Sequence, residues 1–299
     1  MTDVGNPSLS APLLSPDIPI FKEVEIDKPE PDDLRFWSIT TIIGVLDKPA
    51  LLYWAAEQTA EAAVSIAATL AGRIQEDGRE NVVKWLRDAR FRQVRGQRTA
   101  ADLGTAVHAL LEEYALTGVL PEGDEETRPF LEQFDRWAQK WQPKYKAAEL
   151  TVYSPTYGYA GTADGIMEIG GMTVNFDYKT SRKSFDNKGK PSTPYPEVGL
   201  QIAAARYAEL AATWQPRKFE QYRRRYYALG AGEQEAAVPV PEVDGGIVIH
   251  ITPDHCDAYP VRCDEDVYTA FLYVVEAARY QFEMSKTIIG APLTHPEDV

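Results

Sequence analysis

The chain has 299 residues and a formal net charge of −14, because 45 acidic side chains outnumber 31 basic ones. A protein that binds nucleic acid through its overall charge would be basic, so contact with DNA would have to come from local basic patches. The two cysteines, Cys256 and Cys263, exclude a disulfide framework and a zinc or iron–sulfur site built from four cysteines of one chain. The sequence shows neither an apolar run of the ~20 residues that span a bilayer nor a signal peptide, which predicts a cytoplasmic protein without a membrane partner.

Proline and helix-forming residues divide the first half of the chain. Residues 1–33 predict a disordered arm, because they are rich in proline and polar side chains and bury too little apolar surface to offset the entropy of ordering. A short β-favouring run follows at 36–41. Apolar residues at helical spacing then predict four helices, the third opened by a Thr99–Asp102 capping box, at 51–73, 80–90, 99–117 and 125–144. We therefore expect a helical subdomain over residues 34–146.

The pattern changes near Ala148, where β-favouring runs and glycine turns replace the helical spacing. Three such runs predict a meander of antiparallel strands, followed by a polar loop, a helix, two more strands and a last helix. The predicted elements are strands at 149–153, 159–169, 172–178, 222–229 and 246–251, and helices at 197–212 and 264–284. This order predicts an α/β domain over 147–290, with a central mixed β-sheet flanked by helices, and a C-terminal tail at 291–299.

Four short segments carry residues suited to catalysis. His108 lies inside a predicted helix, where a single histidine is often a core residue. Asp164 lies within a predicted strand, and a carboxylate there needs a partner. Asp177 and Lys179 end the next strand on one face, with the tyrosine between them on the other, because side chains alternate along a strand. Gln201 follows on the helix after the polar loop.

Asp164 and Asp177 are expected on antiparallel neighbours, and two close carboxylates do not both ionise in a dry site without a cation. This predicts a divalent metal held by both acids, by His108 and by the backbone carbonyl of Tyr178. Oxygen-rich ligation favours Mg²⁺ or Mn²⁺, and the imidazole favours Mn²⁺. Beside the metal, Lys179 would orient or deprotonate an attacking water, or neutralise charge in the transition state. The alternative to a metal site is that aspartate and lysine form an ordinary ion pair at the edge of the hairpin and that the histidine has no part in it.

These residues resemble the RecB-type branch of the PD-(D/E)XK nuclease superfamily, in particular its phage-encoded and CRISPR-associated exonucleases. The likeness spans residues 38–212 and rests on four motifs in the family's order: GTAVH with His108, AGTAD with Asp164, DYKT with Asp177 and Lys179, and the downstream Gln201. It implies a restriction-endonuclease-like core and metal-dependent hydrolysis of DNA phosphodiester bonds. It also implies that the histidine and both aspartates ligate the metal, that the lysine is catalytic and that the glutamine supports it by holding water or a phosphate oxygen.

The chain departs from the family in two places. Ala205 stands where a tyrosine usually follows the glutamine, and the four cysteines that bind an iron–sulfur cluster in several relatives are missing, so we expect no such cluster. Relatives often carry an acid near Glu149, which would reach a second metal or only fix a neighbouring strand. Glu112, one helical turn after His108, would orient that imidazole or lie solvated on the surface.

Three basic clusters are candidate contacts for DNA, and for each the alternative is a solvated face. The first lies between Lys84 and Arg98, and the second occupies the loop after Lys179. The third mixes arginines with aromatic side chains, which suits phosphate contact and base stacking on a single strand. The DNA-binding candidates in the second and third clusters are Arg182, Lys183, Lys188, Lys190, Arg223, Arg224, Arg225 and Tyr226.

Residues and resemblance together predict a metal-dependent exonuclease that acts on DNA ends or single strands. Its expected setting is recombination, repair or phage DNA processing, in the cytoplasm of a bacterium or a phage-infected host. A recombination or replication protein is a candidate partner, and the oligomeric state stays open. The alternatives are a structure-specific endonuclease of the same superfamily, a catalytically inactive DNA-binding module, and a hydrolase of small phosphoesters.

Overall fold

The structure is a computed structural model that describes four stretches of the chain, residues 23–47, 49–88, 98–186 and 189–293. Predictions for most of the N-terminal arm, the middle of the first basic cluster, Lys188 and the end of the C-terminal tail lie outside these stretches. The described residues divide into two compact units, one over 46–105 and one that combines 23–45 with 106–293. Among the helices of the described stretches, none combines the length and the apolar composition that a membrane span requires.

Eleven strands of the described chain form one mixed β-sheet. They are β1 Val24–Glu25, β2 Leu34–Ser38, β3 Lys144–Ser154, β4 Tyr159–Ile169, β5 Met172–Thr180, β6 Leu210–Ala211, β7 Arg217–Gln221, β8 Arg224–Leu229, β9 Val238–Pro239, β10 Gly245–Ile251 and β11 Cys256–Val261. The strands β3, β4 and β5 form the predicted antiparallel meander. β10 runs parallel to β5 and antiparallel to β11, which makes the sheet mixed.

The sheet branches at β4, and this branch positions the candidate site. One edge of β4 pairs with β3 along almost its whole length. The other edge pairs with β2 at Tyr159 and Ala160, and with β5 from Gly165 onward. Between these two partners, no described strand pairs with residues 161–164. The edge of β4 is therefore open over four residues, and Asp164 is the last of them.

Nine α-helices lie in the described chain: α1 Ile39–Ile43, α2 Pro49–Ser65, α3 Leu70–Asp77, α4 Arg79–Arg87, α5 Ala100–Thr117, α6 Arg128–Trp141, α7 Val198–Arg206, α8 Ala231–Ala236 and α9 Glu265–Phe282. The predicted capping box of α5 is present, because Thr99 and Asp102 each accept a hydrogen bond from the other's amide. The single helix predicted at 51–73 is wrong. Hydroxyls of Ser65 and Thr69 bond to nearby carbonyls there, which competes with the helical ladder, and the chain turns before α3.

Helices of the larger unit cover both faces of the sheet. On one face, the α9 residue Phe271 meets the ring of Tyr159 edge-on at 5.0 Å. On the opposite face, the α6 residue Phe134 meets Tyr178 of β5 at 5.8 Å. The predicted α/β class, with a large mixed central sheet flanked by helices, is confirmed. Because side chains alternate along β5, Asp177 points to the face opposite Tyr178, where α7 and α9 lie.

Several boundaries differ from the predictions, and the β-favouring run predicted at 36–41 is wrong beyond Ser38, where α1 begins. Val24–Glu25 pairs with β7 inside the predicted arm, and Asp33 accepts two hydrogen bonds from Arg217 at 2.8 and 3.0 Å. Backbone pairing and a distant ion pair leave no trace in composition, so the proline-rich pattern did not reveal them. The helix predicted at 197–212 ends at Arg206, before β6. The compact helical unit covers 46–105 rather than 34–146, and His108 belongs to the unit that contains the sheet.

Candidate metal and phosphate site

The candidate site lies where β4 and β5 separate. Their pairing ends at Gly165 and Phe176, so Asp164 and Asp177 are the next residues on the two separating strands. Gly165 has a φ of +149°, and a Cβ at this position would lie 2.1 Å from the carbonyl oxygen of Ala147 on β3. Glycine fits such a close approach because it has no side chain. The glycine after the acid therefore lets β4 leave β5 at this point.

Asp177 is the buried acid of the site, with 3% of its surface exposed, and the Lys179 ammonium contacts its Oδ2. Strand alternation predicted this shared face. Burial raises the pKa of Asp177 to about 7, the charge of Lys179 opposes this shift, and the charge of Asp164 adds to it. Apart from the lysine contact, Oδ2 has no hydrogen-bond partner in the described chain. Burial thus outweighs the single lysine contact and disfavours the ionised form of this carboxylate.

His108 and Asp164 face each other across the site. The His108 Nδ1 lies 3.8 Å from the Asp164 Oδ2, and this oxygen accepts a 2.6 Å hydrogen bond from the Tyr178 amide. Burial lowers the pKa of His108, and the charge of Lys179 adds to this, whereas Asp164 and a hydrogen bond to the Tyr178 backbone oppose it. The net shift keeps the imidazole neutral at pH 7, which is the form that ligates metals.

The Tyr178 side chain anchors this part of β5 on the other face of the sheet. Its hydroxyl lies 2.8 Å from the hydroxyl of Tyr145, and both rings are buried. Its ring also meets the His108 ring edge-on, with 6.0 Å between the centroids. Because this side chain is fixed by packing, its backbone amide and carbonyl are held beside Asp164 and His108.

Glu149 of β3 joins the same group of charges. It adopts a φ of +50°, in the left-handed region that costs a non-glycine residue roughly 1–2 kcal/mol. Burial raises the pKa of Glu149 to about 8, and the charges of Asp164 and Glu112 add to the shift. Glu112, predicted to orient His108, thus acts electrostatically on Glu149. Backbone strain concentrated beside a group of acids is typical of a functional site.

The donor set of the site fits a divalent cation. Two of its three carboxylates, Asp177 and Glu149, keep their protons close to neutral pH, and a nearby cation would lower both pKa values. Carboxylates with one neutral imidazole are ligands that Mg²⁺ and Mn²⁺ accept. Within the described stretches, no three His, Cys, Asp or Glu side chains are close enough together to hold an ion. The side chains would therefore have to close around the metal.

A cavity of about 160 Å³ opens beside Asp177, on the face of the sheet that carries α7. It fills the gap that β4 leaves between β2 and β5. Gln201 lines it, so the structure brings this predicted residue to the same cavity as the buried acid. Asn175 lines it too and was missed, although its spacing of two residues before Asp177 places it on the same face. Residues of the gap that line the cavity are Gly161, Thr162 and Ala163.

The predicted DNA-binding residues fall into two groups. Three already have partners within the protein: Arg182 with Glu126 at 2.8 Å, Arg224 over the ring of Phe282 at 3.7 Å, and Tyr226 stacked on Phe219 at 5.2 Å. Glu126 and Phe282 are distant in sequence from Arg182 and Arg224, so the charge pattern did not reveal them, whereas Phe219 is the neighbour of Tyr226 across the β7–β8 hairpin. Arg182 is exposed despite its ion pair, as are Lys183, Lys190, Arg223 and Arg225, and Lys188 lies outside the described chain.

Comparisons with known proteins add little to this description. No family model and no curated protein matches the chain. A solved structure described as "Crystal structure of SSO0001" is similar with a TM-score of 0.31 and 14% sequence identity, over 92% of this chain and 90% of that chain. A likeness at this level supports no statement about fold or function.

Proposed function

We propose that the protein is a divalent-metal-dependent DNA nuclease, an exonuclease that hydrolyses phosphodiester bonds at DNA ends or in single strands. The observation that carries this proposal is the fork between β4 and β5, where Asp164, Asp177 and Lys179 meet His108 of α5. Acids whose ionised form is disfavoured by burial, a neutral imidazole and a lysine beside the buried acid are groups that metal-assisted phosphodiester hydrolysis uses. The choice of an exonuclease rests on the resemblance of the motifs to RecB-type enzymes.

The fold assignment that accompanies this function is a restriction-endonuclease-like core with an N-terminal helical subdomain. Its support is a mixed sheet with helices on both faces and the motif residues on the adjacent strands β4 and β5. The compact unit at 46–105, which contains α2, α3 and α4, is our candidate for the subdomain.

The proposed metal is Mg²⁺ or Mn²⁺, held by Asp164, Asp177 and His108, with the Tyr178 carbonyl as a further ligand. Such an ion supplies Lewis acidity toward a phosphate oxygen and lowers the pKa of a bound water. Glu149 is the candidate accessory ligand, because its charge and that of Asp164 interact directly. The neutral imidazole and the amide that binds Asp164 keep these donors oriented before a metal arrives.

Lys179 and Gln201 are the proposed catalytic residues. The Lys179 ammonium already lies at the buried acid, so it can donate a hydrogen bond to an attacking water or to a phosphate oxygen beside that acid. As negative charge grows on the phosphoryl oxygens, this fixed cation stabilises it. Gln201 lines the adjoining cavity with an amide that both donates and accepts, which suits a water or a phosphate oxygen.

A gel assay tests the proposal. It uses linear duplex DNA and single strands labelled at the 5′ or the 3′ end, together with covalently closed circles, each incubated with Mg²⁺, Mn²⁺ or a chelator. We expect linear DNA or single strands to be degraded with metal, no reaction with chelator, and intact circles. Cleavage of the circles would instead identify an endonuclease, and binding without hydrolysis an inactive DNA-binding module. Lys146→Ala, at an exposed lysine paired with Glu168, is the control for Lys179→Ala.

A further inference from the structure

The cavity beside Asp177 has a second polar region, formed around Glu23. The Glu23 Oε1 accepts hydrogen bonds of 2.6 Å from the hydroxyls of Thr162 and Tyr227. Its Oε2 contacts the ammonium of Lys218, and each of these two side chains is only 18% exposed. Three donors from β4, β7 and β8 thus converge on one carboxylate, and all of these residues line the same cavity.

This region carries a second cation besides the lysine that contacts Glu23. Arg225 also lines the cavity, and within the described chain it forms no ion pair. Burial lowers the pKa of Lys218, and the charge of Arg225 adds to this effect, so the two cations face a common space. Glu25, the second acid at Lys218, lies 3.5 Å away but is 75% exposed, which leaves its charge largely screened by water.

An oxyanion is the ligand that this set of donors recognises. Two hydroxyls and an ammonium around one position, with a guanidinium lining the same cavity, are groups that proteins use to bind phosphate oxygens. The carboxylate of Glu23 places negatively charged oxygen atoms at this position, as a phosphate would. It directly precedes β1, a strand of two residues, so few backbone hydrogen bonds hold it there. A phosphodiester, which carries one negative charge and acceptor oxygens like a carboxylate, can take over these contacts when the Glu23 side chain leaves.

We propose that Lys218, Arg225, Thr162 and Tyr227 form a binding site for a backbone phosphate of single-stranded DNA, and that Glu23 occupies this site when DNA is absent. This rests on the proposed function, because the same cavity reaches Asp177 and Gln201 and so connects the bound phosphate with the bond to be cleaved. The cavity volume of about 160 Å³ corresponds to the share of roughly five water molecules, and departure of the Glu23 side chain enlarges it.

Equilibrium binding of a labelled single-stranded oligonucleotide tests the site without chemistry. Fluorescence anisotropy is measured in chelator, at salt concentrations from about 50 to 200 mM. Glu23→Gln removes the competing charge and should tighten binding about 5-fold, whereas Lys218→Met should weaken it about 10-fold. Lys218→Met should also reduce the slope of log K against log salt by about 0.7, the value for one phosphate contact on a single strand. In the double variant, the gain from Glu23→Gln should partly offset the loss from Lys218→Met, because Glu23 also occupies the hydroxyls of Thr162 and Tyr227.

Glu168→Gln and Lys146→Met are the matched controls, because they make the same changes at an exposed ion pair of 3.1 Å. We expect them to change the affinity less than 2-fold. Thermal unfolding of each variant shows whether it folds. If a variant does not fold, Thr162→Val tests the same site by removing one hydroxyl. The proposal is overturned if the changes at Glu23, Lys218 and Thr162 affect the affinity no more than the controls do.

Hydrolysis by the wild-type protein is measured separately, with linear DNA and Mn²⁺. If the wild type hydrolyses DNA but Lys218→Met changes the affinity no more than the controls do, the phosphate site is overturned and the proposed function stands. If the affinities change as predicted but the wild type hydrolyses DNA with neither Mg²⁺ nor Mn²⁺, the phosphate site is supported and the proposed nuclease is overturned. The two failures are therefore distinguishable.

Discussion

Replacement of Glu149 by glutamine tests the electrostatics of the site in the metal-free protein. Burial, with the charges of Asp164 and Glu112, raises the pKa of this acid to about 8, against an ordinary value of 4.5. Between these two values the folded protein keeps a proton that the unfolded chain releases. The unfolded state then binds fewer protons, so the free energy of unfolding falls as the pH rises through this window.

The interval from 4.5 to about 8, at ~1.4 kcal/mol per pH unit, gives a loss of roughly 5 kcal/mol by pH 8, an upper limit because water can enter the site. Glutamine cannot ionise and keeps the size of the side chain. The Glu149→Gln variant should therefore match the wild type near pH 4.5 and exceed it by about 2–5 kcal/mol at pH 8. Asp177, whose pKa is raised to about 7, imposes the same trend on both proteins and largely cancels in the comparison.

Urea unfolding followed by circular dichroism, in chelator and at steps from pH 4.5 to 8.5, measures this difference. Glu168→Gln is the control, because that glutamate is exposed and the neighbouring Lys146 and Lys144 lower its pKa. The folded protein lowers the pKa of Glu168, so this side chain contributes stability at pH values above its unfolded pKa. The Glu168→Gln control should therefore show no rise in stability over the wild type as the pH increases. A Glu149→Gln difference that stays constant with pH would refute the placement of Glu149 among the acids.

Three further predictions concern the fork itself. Lys179→Ala should reduce single-turnover cleavage at least ~100-fold while changing oligonucleotide affinity in chelator only a few-fold, and an unaltered rate would remove the proposed mechanism. Mn²⁺ at millimolar concentration should raise the unfolding temperature of the wild type at pH 8, because a ligand that binds the folded state stabilises it. Asp177→Asn should lose most of this rise, and equal rises would locate the ion elsewhere. Gly165→Ala should cost roughly 3 kcal/mol or prevent folding, whereas Gly170→Ala, with open space around the added methyl group, should cost about 1 kcal/mol in urea unfolding.

The pairing of the two acids was predictable because short-range rules determine it. A two-residue turn at Gly170 and Gly171 joins β4 to β5, and this turn fixes a register in which Gly165 meets Phe176. Asp164 and Asp177 then have to follow on adjacent strands. Period-two alternation places Lys179 on the face of Asp177 in the same way. These inferences need only the positions of the turn and of the strands.

Contacts between distant segments could not be predicted in this way. Arg217 pairs with Asp33 and Glu233, and Arg182 pairs with Glu126, although no local pattern links these residues. Strand β1 forms within a proline-rich stretch because its pairing uses backbone groups, which every sequence supplies. The left-handed backbone of Glu149 also depends on tertiary contacts, since its neighbours in sequence predict an ordinary strand.

The open edge of β4 explains why strain and unfavourable charge occur together. Full pairing of β4 with β5 would satisfy more backbone groups, but it would close the gap at 161–164 that the cavity fills. The chain instead keeps Gly165 at a positive φ, Glu149 in the left-handed region and Asp177 buried with a raised pKa. The left-handed backbone of Glu149 and the burial of Asp177 lower the stability of the metal-free protein, whereas Gly165 tolerates its positive φ. Each of the three places an acid or opens space for a ligand. Glu149→Gln should therefore raise stability at pH 8 and slow metal-dependent cleavage together, because the charge that destabilises the empty site is the charge that binds the cation.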